Sequence, residues 1–169
     1  FTPGAVNAGS FNRNDDPTDA LGAPDYVPGS GYVSLGVGGS LTVEFTNYVF
    51  TGSGDATDDL FVLEIGQLSE GTSVEVSANG VDFFSVGSTG IGNVYGVDLD
   101  AFGYGVNDAF SFVRITDDSV EGFNNLTPGA DIDSVSAFNT TLAAVPLPAA
   151  GWLLLGAFGG LAAVKRRKS

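Results

Sequence analysis

Twenty carboxylates, with no histidine and no cysteine, decide which chemistry this chain can offer. Four aspartate clusters have the composition of a hard-cation site: Asp15, Asp16 and Asp19; Asp55, Asp58 and Asp59; Asp117 and Asp118; Asp131 and Asp133. Calcium takes several oxygens from carboxylates and carbonyls, so Ca2+ is the cation these clusters suit. None follows the fixed spacing of an EF-hand loop. The competing reading is that each aspartate forms a turn by bonding its own backbone, or is simply solvated. Asp131 and Asp133 fall two apart on a strand-like stretch and so share a face.

Nucleophilic catalysis has little to work with. Without cysteine there is no thiol chemistry, disulfide or thiolate zinc site. Without histidine the commonest general base and metal ligand are gone. Serines are plentiful, but no lysine precedes Lys165 to activate one. Only a paired-carboxylate glycosidase remains, with Glu44, Glu64, Asp98 and Asp100 as its candidates. The expectation is a non-catalytic domain.

Two other side-chain types bear on binding. Arg114 lies inside an apolar stretch and is expected to form an ion pair on a sheet face, the alternative being a grip on a sugar or carboxylate ligand. Tyr26, Tyr32, Tyr48, Tyr95 and Tyr104 offer faces for sugar rings, with ordinary packing as the competing role.

The charge is divided unevenly. Residues 1–144 carry all 20 acidic side chains against Arg13 and Arg114, a net of −18, and the other four basic residues are Lys165, Arg166, Arg167 and Lys168. A field of that sign repels phosphate backbones, which excludes nucleic acid as a partner. Basic partners and divalent cations fit it.

The elements that must position these groups read as strands. Residues 40–45 alternate, with Leu41, Val43 and Phe45 on one face. Residues 59–65 are nearly continuously apolar and predict a deeply buried strand. Further strands are expected over 32–35, 72–77, 81–86, 93–98, 109–116 and 132–139. Asn79-Gly80 predicts a tight hairpin turn between the fourth and fifth of the eight. Residues 1–31 are interrupted by glycine and proline and read as loop. The fold class that follows is all-β, an antiparallel β-sandwich or jelly roll of about eight strands, with 13 phenylalanines across the chain to help build its core.

Past residue 140 the pattern changes. The expected division is an acidic extracytoplasmic domain over 1–140, a linker and sorting motif over 141–148, a single transmembrane helix over 149–164 and a basic cytoplasmic tail over 165–169. Pro146 and Pro148 hold Val145, Pro146, Leu147 and Pro148 extended and accessible to a processing enzyme. The 16 residues that follow are uncharged and span about 24 Å as a helix, short of the roughly 30 Å hydrocarbon core. Lys165, Arg166, Arg167 and Lys168 stop transfer and keep the C-terminus in the cytoplasm. The chain opens at Phe1 without methionine or an apolar leader, so the expected leader has been removed or the chain is part of a longer one.

Val145, Pro146, Leu147, Pro148 and Ala149, then a Gly-rich apolar stretch, then the basic cluster, resemble the PEP-CTERM sorting signal in its VPLPA form. Leu147 stands where the eponymous motif has glutamate. The resemblance implies an exported protein of a Gram-negative bacterium, recognised by an exosortase at the inner membrane and then placed on the outer surface or in the extracellular matrix. It also implies association with exopolysaccharide and biofilm. Stretches 20–25, 34–45, 59–65, 74–77 and 113–117 resemble β-sandwich ectodomains of such proteins and discoidin-like, galactose-binding-like jelly rolls. The expectation is therefore a surface or matrix protein held through its C-terminal helix, the alternative being a carbohydrate-binding module for polysaccharide with structural calcium.

Overall fold

A computed structural model describes residues 1–5, 14–65, 70–89, 94–118 and 129–143. The strands are β1 (Val33–Ser34), β2 (Ser40–Glu44), β3 (Tyr48–Phe50), β4 (Leu60–Glu64), β5 (Thr72–Ser77), β6 (Phe84–Thr89), β7 (Val94–Val97), β8 (Phe112–Asp117), β9 (Asp131–Ala137) and β10 (Thr140–Leu142). Two antiparallel four-stranded sheets carry the fold, ordered β1-β9-β4-β7 and β2-β8-β5-β6, and β3 with β10 forms a small third sheet.

The connectivity is that of a rolled ribbon. Strand β1 pairs with β9, β2 with β8, β4 with β7 and β5 with β6. The ribbon closes on itself through β4–β9 and β5–β8, which gives the strand order of a jelly roll. The eight expected strands are all present, and β3 and β10 are additional. Thr140–Leu142 lies partly in the stretch read as linker and pairs with β3 in register.

Alternation decides what faces the core. In β2, Leu41 and Val43 are buried and Thr42 and Glu44 exposed. Strand β4 is corrected by the same rule: Leu60, Val62 and Glu64 are buried, whereas Phe61 and Leu63 turn to the outer face and are only half covered. The core between the sheets is built of Val, Leu and Ile, including Val33, Leu35, Leu60, Val74, Val76, Val113, Ile115 and Ile132. Among the described phenylalanines only Phe50 and Phe110 are buried in it. Several of the other rings, Phe84, Phe102 and Phe138 among them, lie at the surface.

The Asn79-Gly80 turn also differs from expectation. Only Gly80 has positive φ, at 72°, and six residues separate β5 from β6. Ser77 Oγ accepts from the Asn79 and Gly80 N–H groups, and Asn79 Oδ1 from those of Val81 and Asp82. Side chains satisfying the backbone in this way support a wider loop than a two-residue hairpin.

Each end of the sandwich gathers loops. One end holds the β3–β4, β7–β8 and β9–β10 connections; at the other, the Gly38 and Ala130 N–H groups donate to the Asp117 carboxylate, and the Asp118 N–H to the Gly71 carbonyl. Among the described residues no helix is long and apolar enough to cross a membrane. The expected helix over 149–164, the sorting residues Val145, Pro146, Leu147, Pro148 and Ala149, and the cluster Lys165, Arg166, Arg167 and Lys168 lie outside the described residues.

Candidate functional site

The β3–β4 loop folds tightly against the β7–β8 connection. A Cβ at Gly52 would come within 2.2 Å of the Tyr104 carbonyl oxygen and 2.6 Å of Asp100 Oδ2, so only glycine fits there. The Gly54 N–H then donates to Asp100 Oδ2 at 2.8 Å. Asp55 Oδ1 accepts from Thr57 N at 2.9 Å and Thr57 Oγ at 2.7 Å, bonds that hold its carboxyl below the ordinary value. Ala56, Thr57 and Asp58 are thereby set as one wall of a groove.

Asp58 and Asp59 point opposite ways, as alternation requires. The Asp58 carboxylate lies over β7 where Gly96 leaves room; a Cβ there would meet Asp58 Oδ2 at 2.1 Å. It is exposed, and it meets no hydrogen-bond donor among the described residues. Asp59 is 0% exposed. Its Oδ1 accepts from Asn139 Nδ2 at 2.6 Å and its Oδ2 from Leu99 N at 2.9 Å. Its backbone carbonyl accepts from Phe138 N at 2.9 Å.

Asp59 therefore anchors the opposite wall, Phe138 and Asn139. The floor is aromatic. Phe61, turned outward from β4, meets Phe138 edge to face with ring centroids 5.0 Å apart. Phe138 is 67% exposed. Ala56, Thr57, Asp58, Phe61, Phe138 and Asn139 line an open surface groove of about 540 Å³. An apolar floor with a few convergent polar groups is the common make-up of a ligand site.

Behind the groove, carboxylate oxygens of Asp59, Asp98 and Asp100 lie within 4.8 Å of one another. Both Asp59 oxygens take protein donors, and Asp98 Oδ1 accepts from Ala101 N at 3.3 Å. Lone pairs remain on all three, so the oxygen set fits a hard cation such as calcium.

The sequence-predicted aspartates are distributed over the molecule. Asp16 caps the 3-10 turn Pro17–Ala20, accepting from Thr18 N and Thr18 Oγ, which lowers its pKa. Asp15 is exposed beside it, and Asp19 accepts from Asn14 Nδ2. Asp117 is buried and accepts from Gly38 N and Ala130 N, both at 3.0 Å, whereas Asp118 is exposed. Asp131 and Asp133 are both buried, the first accepting from Ser34 Oγ and the second from Asp25 N at 3.2 Å. Arg114 forms an ion pair with Glu75 at 2.7 Å and stacks 3.9 Å from the Phe83 ring centroid. The tyrosines do not share one platform: Tyr26 packs on Tyr32, and Tyr104 lies between Phe84 and Phe110.

At the opposite end, Glu64 is 4% exposed. Burial pushes its carboxyl up to about 7; the Glu70 N–H, at 3.4 Å from Oε1, pulls the other way, and Asp131 and Asp117 add to the rise. Because the folded pKa lies above the unfolded one, the folded state keeps a proton that the unfolded chain has lost between roughly pH 4.5 and 7. The Glu64 contribution to stability is thus full below that window and lost across it as pH rises, by at most about 3 kcal/mol. In thermal melts from pH 5 to 8, the wild type should lose more stability than Glu64→Gln. Parallel pH profiles would contradict this assignment.

Sequence reasoning missed Phe61, Phe138 and Asn139. The period-2 pattern within 60–64, which puts Phe61 opposite Leu60 and Val62, is the signal that marks the ring as outward.

No family model matches the chain, and no curated protein matches it. Among solved structures it is similar to a Clostridium perfringens protein described as CpGH89CBM32-6, at 14% identity over 64% of this chain and 74% of that one, TM-score 0.43. The C-terminal domain of a chitobiase from Bacteroides fragilis matches at 15% identity over 62% of this chain and 64% of that one, TM-score 0.40. CpGH89CBM32-4 from Clostridium perfringens, in complex with glcNAc-alpha-1,4-galactose, matches at 12% identity over 81% of this chain and 95% of that one, TM-score 0.44.

Proposed function

We propose that this chain is an exported, non-catalytic glycan-binding domain whose jelly roll offers the Phe61–Phe138 groove to polysaccharide outside the cell. One observation carries the reading: a large aromatic side chain stands exposed on a groove floor beside an uncommitted carboxylate and an anchored amide. Sugars present apolar ring faces and rows of hydroxyls, and this pairing of apolar floor with polar wall complements both. The lack of histidine and cysteine, which leaves nucleophilic catalysis little to work with, supports binding over catalysis.

Placement outside the cytoplasm rests on residues 145–169. Their resemblance to a sorting signal supports an exosortase as processing partner, passage through the inner membrane, and a final position at the surface or in the biofilm matrix of a Gram-negative bacterium. Calcium belongs to this reading as a structural ion, and the Asp59–Asp98–Asp100 oxygens are its best-placed ligands.

A screen of the full chain against immobilised polysaccharides, in calcium and in chelator, tests the function. Retention on at least one glycan class is expected. Background binding to every class under both conditions would leave a surface protein without a glycan ligand.

A further inference from the structure

The groove has a charge as well as a shape. Asp58 forms part of its wall, exposed and without a hydrogen-bond donor among the described residues. Asp55 lies three residues before it in the same loop. The one cationic side chain among the described residues, Arg114, is engaged by Glu75 on the other sheet. A cleft lined by one sign of charge focuses its field and raises the local concentration of the opposite charge. The −18 net charge of residues 1–144 acts in the same direction at longer range.

From this juxtaposition we propose that the groove selects glycans bearing free amino groups, such as de-N-acetylated amino-sugar polymers, over neutral and uronic-acid chains. The inference rests on the glycan-binding reading and adds its ligand class. An ammonium group on a sugar seated over Phe61 and Phe138 meets the Asp58 carboxylate at the groove wall. A uronate in the same place meets a like charge and, among the described residues, no cationic side chain. An N-acetylated sugar keeps the stacking and hydroxyl contacts but forfeits the ion pair.

The test uses three oligosaccharides of equal length: a fully N-acetylated glucosamine oligomer, its fully de-N-acetylated form and an oligogalacturonate. Each is titrated calorimetrically into the full chain in mildly acidic, low-salt buffer. The amine form should bind about threefold to tenfold tighter than the acetylated form, and the uronate should bind weakest. Raising the salt should shrink the difference, because exposed charges are screened. In Asp58→Asn the amine-to-acetyl ratio should fall toward one, and in Phe138→Ala the amine form should lose its binding.

Equal affinity for amine and acetylated forms would overturn the proposal while leaving the groove a glycan site. An unchanged ratio in Asp58→Asn would also overturn it. Amine binding that survives Phe138→Ala would place the attraction on the acidic surface at large and overturn it as well. If no oligomer binds, this inference fails, while the glycan-binding reading stands or falls on the wider polysaccharide screen.

Discussion

Phe138→Ala should weaken glycan binding by about tenfold to thirtyfold while lowering stability by no more than about 1 kcal/mol. The asymmetry follows from the ring's position. Phe138 is 67% exposed, so the core does not depend on it, and its described aromatic contact is the edge-to-face pair with Phe61 at 5.0 Å. Such a pair contributes roughly 0.5–1.5 kcal/mol beyond area burial, part of which is lost to solvent at this site. A central aromatic anchor in an interface typically contributes more than about 1–2 kcal/mol to binding. Leu142→Ala supplies the control, since Leu142 is 75% exposed on β10 and lies outside the groove. Calorimetric titration with the tightest glycan from the screen reads the first effect and denaturant unfolding the second. Equal losses in the two variants, or a Phe138→Ala variant that binds as well as wild type, would remove the ring from the site.

Asp59→Ala carries the larger stability effect. The substitution removes a buried carboxylate and strands two donors, the Leu99 N–H and the Asn139 amide. Hydrogen bonds to a charged acceptor contribute about 1.5–3 kcal/mol each, and a buried donor left unmade costs a similar amount. Relief of repulsion from Asp98 and Asp100, whose oxygens lie within 4.8 Å, offsets part of that. The expected net loss is about 2–4 kcal/mol, read as a lower denaturation midpoint with an unchanged slope. Glycan affinity should fall with it, because Asn139 loses the anchor that holds it against the groove wall. A loss below about 0.5 kcal/mol would mean that the Asp59 network does not organise this end of the sandwich.

Much of the fold was legible, and the reason is alternation. Strands β2, β5 and β8 place apolar residues two apart and burial follows that period, whereas β9 is buried continuously from Asp131 to Val135. Strand β10 was not legible: Thr140, Thr141 and Leu142 are all exposed, and only pairing with Phe50, Val49 and Tyr48 makes them a strand. Strand order was also out of reach, since β4 and β9 meet across some 70 residues of chain through backbone bonds that no local pattern encodes.

The groove was partly legible. Asp55, Asp58 and Asp59 stood out as an acidic cluster, but the structure gives them three roles: a turn cap, an open wall carboxylate and a buried anchor. Phe61 sat in an apolar run that reads as core. Its closeness to Phe138 depends on the β4–β9 register, which pairs Phe61 with Ser136 and so brings the residues just past β9 alongside. The tail motif remains a reading of the sequence, because residues 144–169 lie outside those described.

The most direct test of a glycan site at this groove is the position of the bound ligand. In a titration of the isotope-labelled full chain with the tightest oligosaccharide, amide resonances of Thr57, Asp58, Phe61, Phe138 and Asn139 should shift together and saturate with one affinity. Saturating shifts confined to the opposite end, around Gly38, Gly71 and Asp118, would contradict the account.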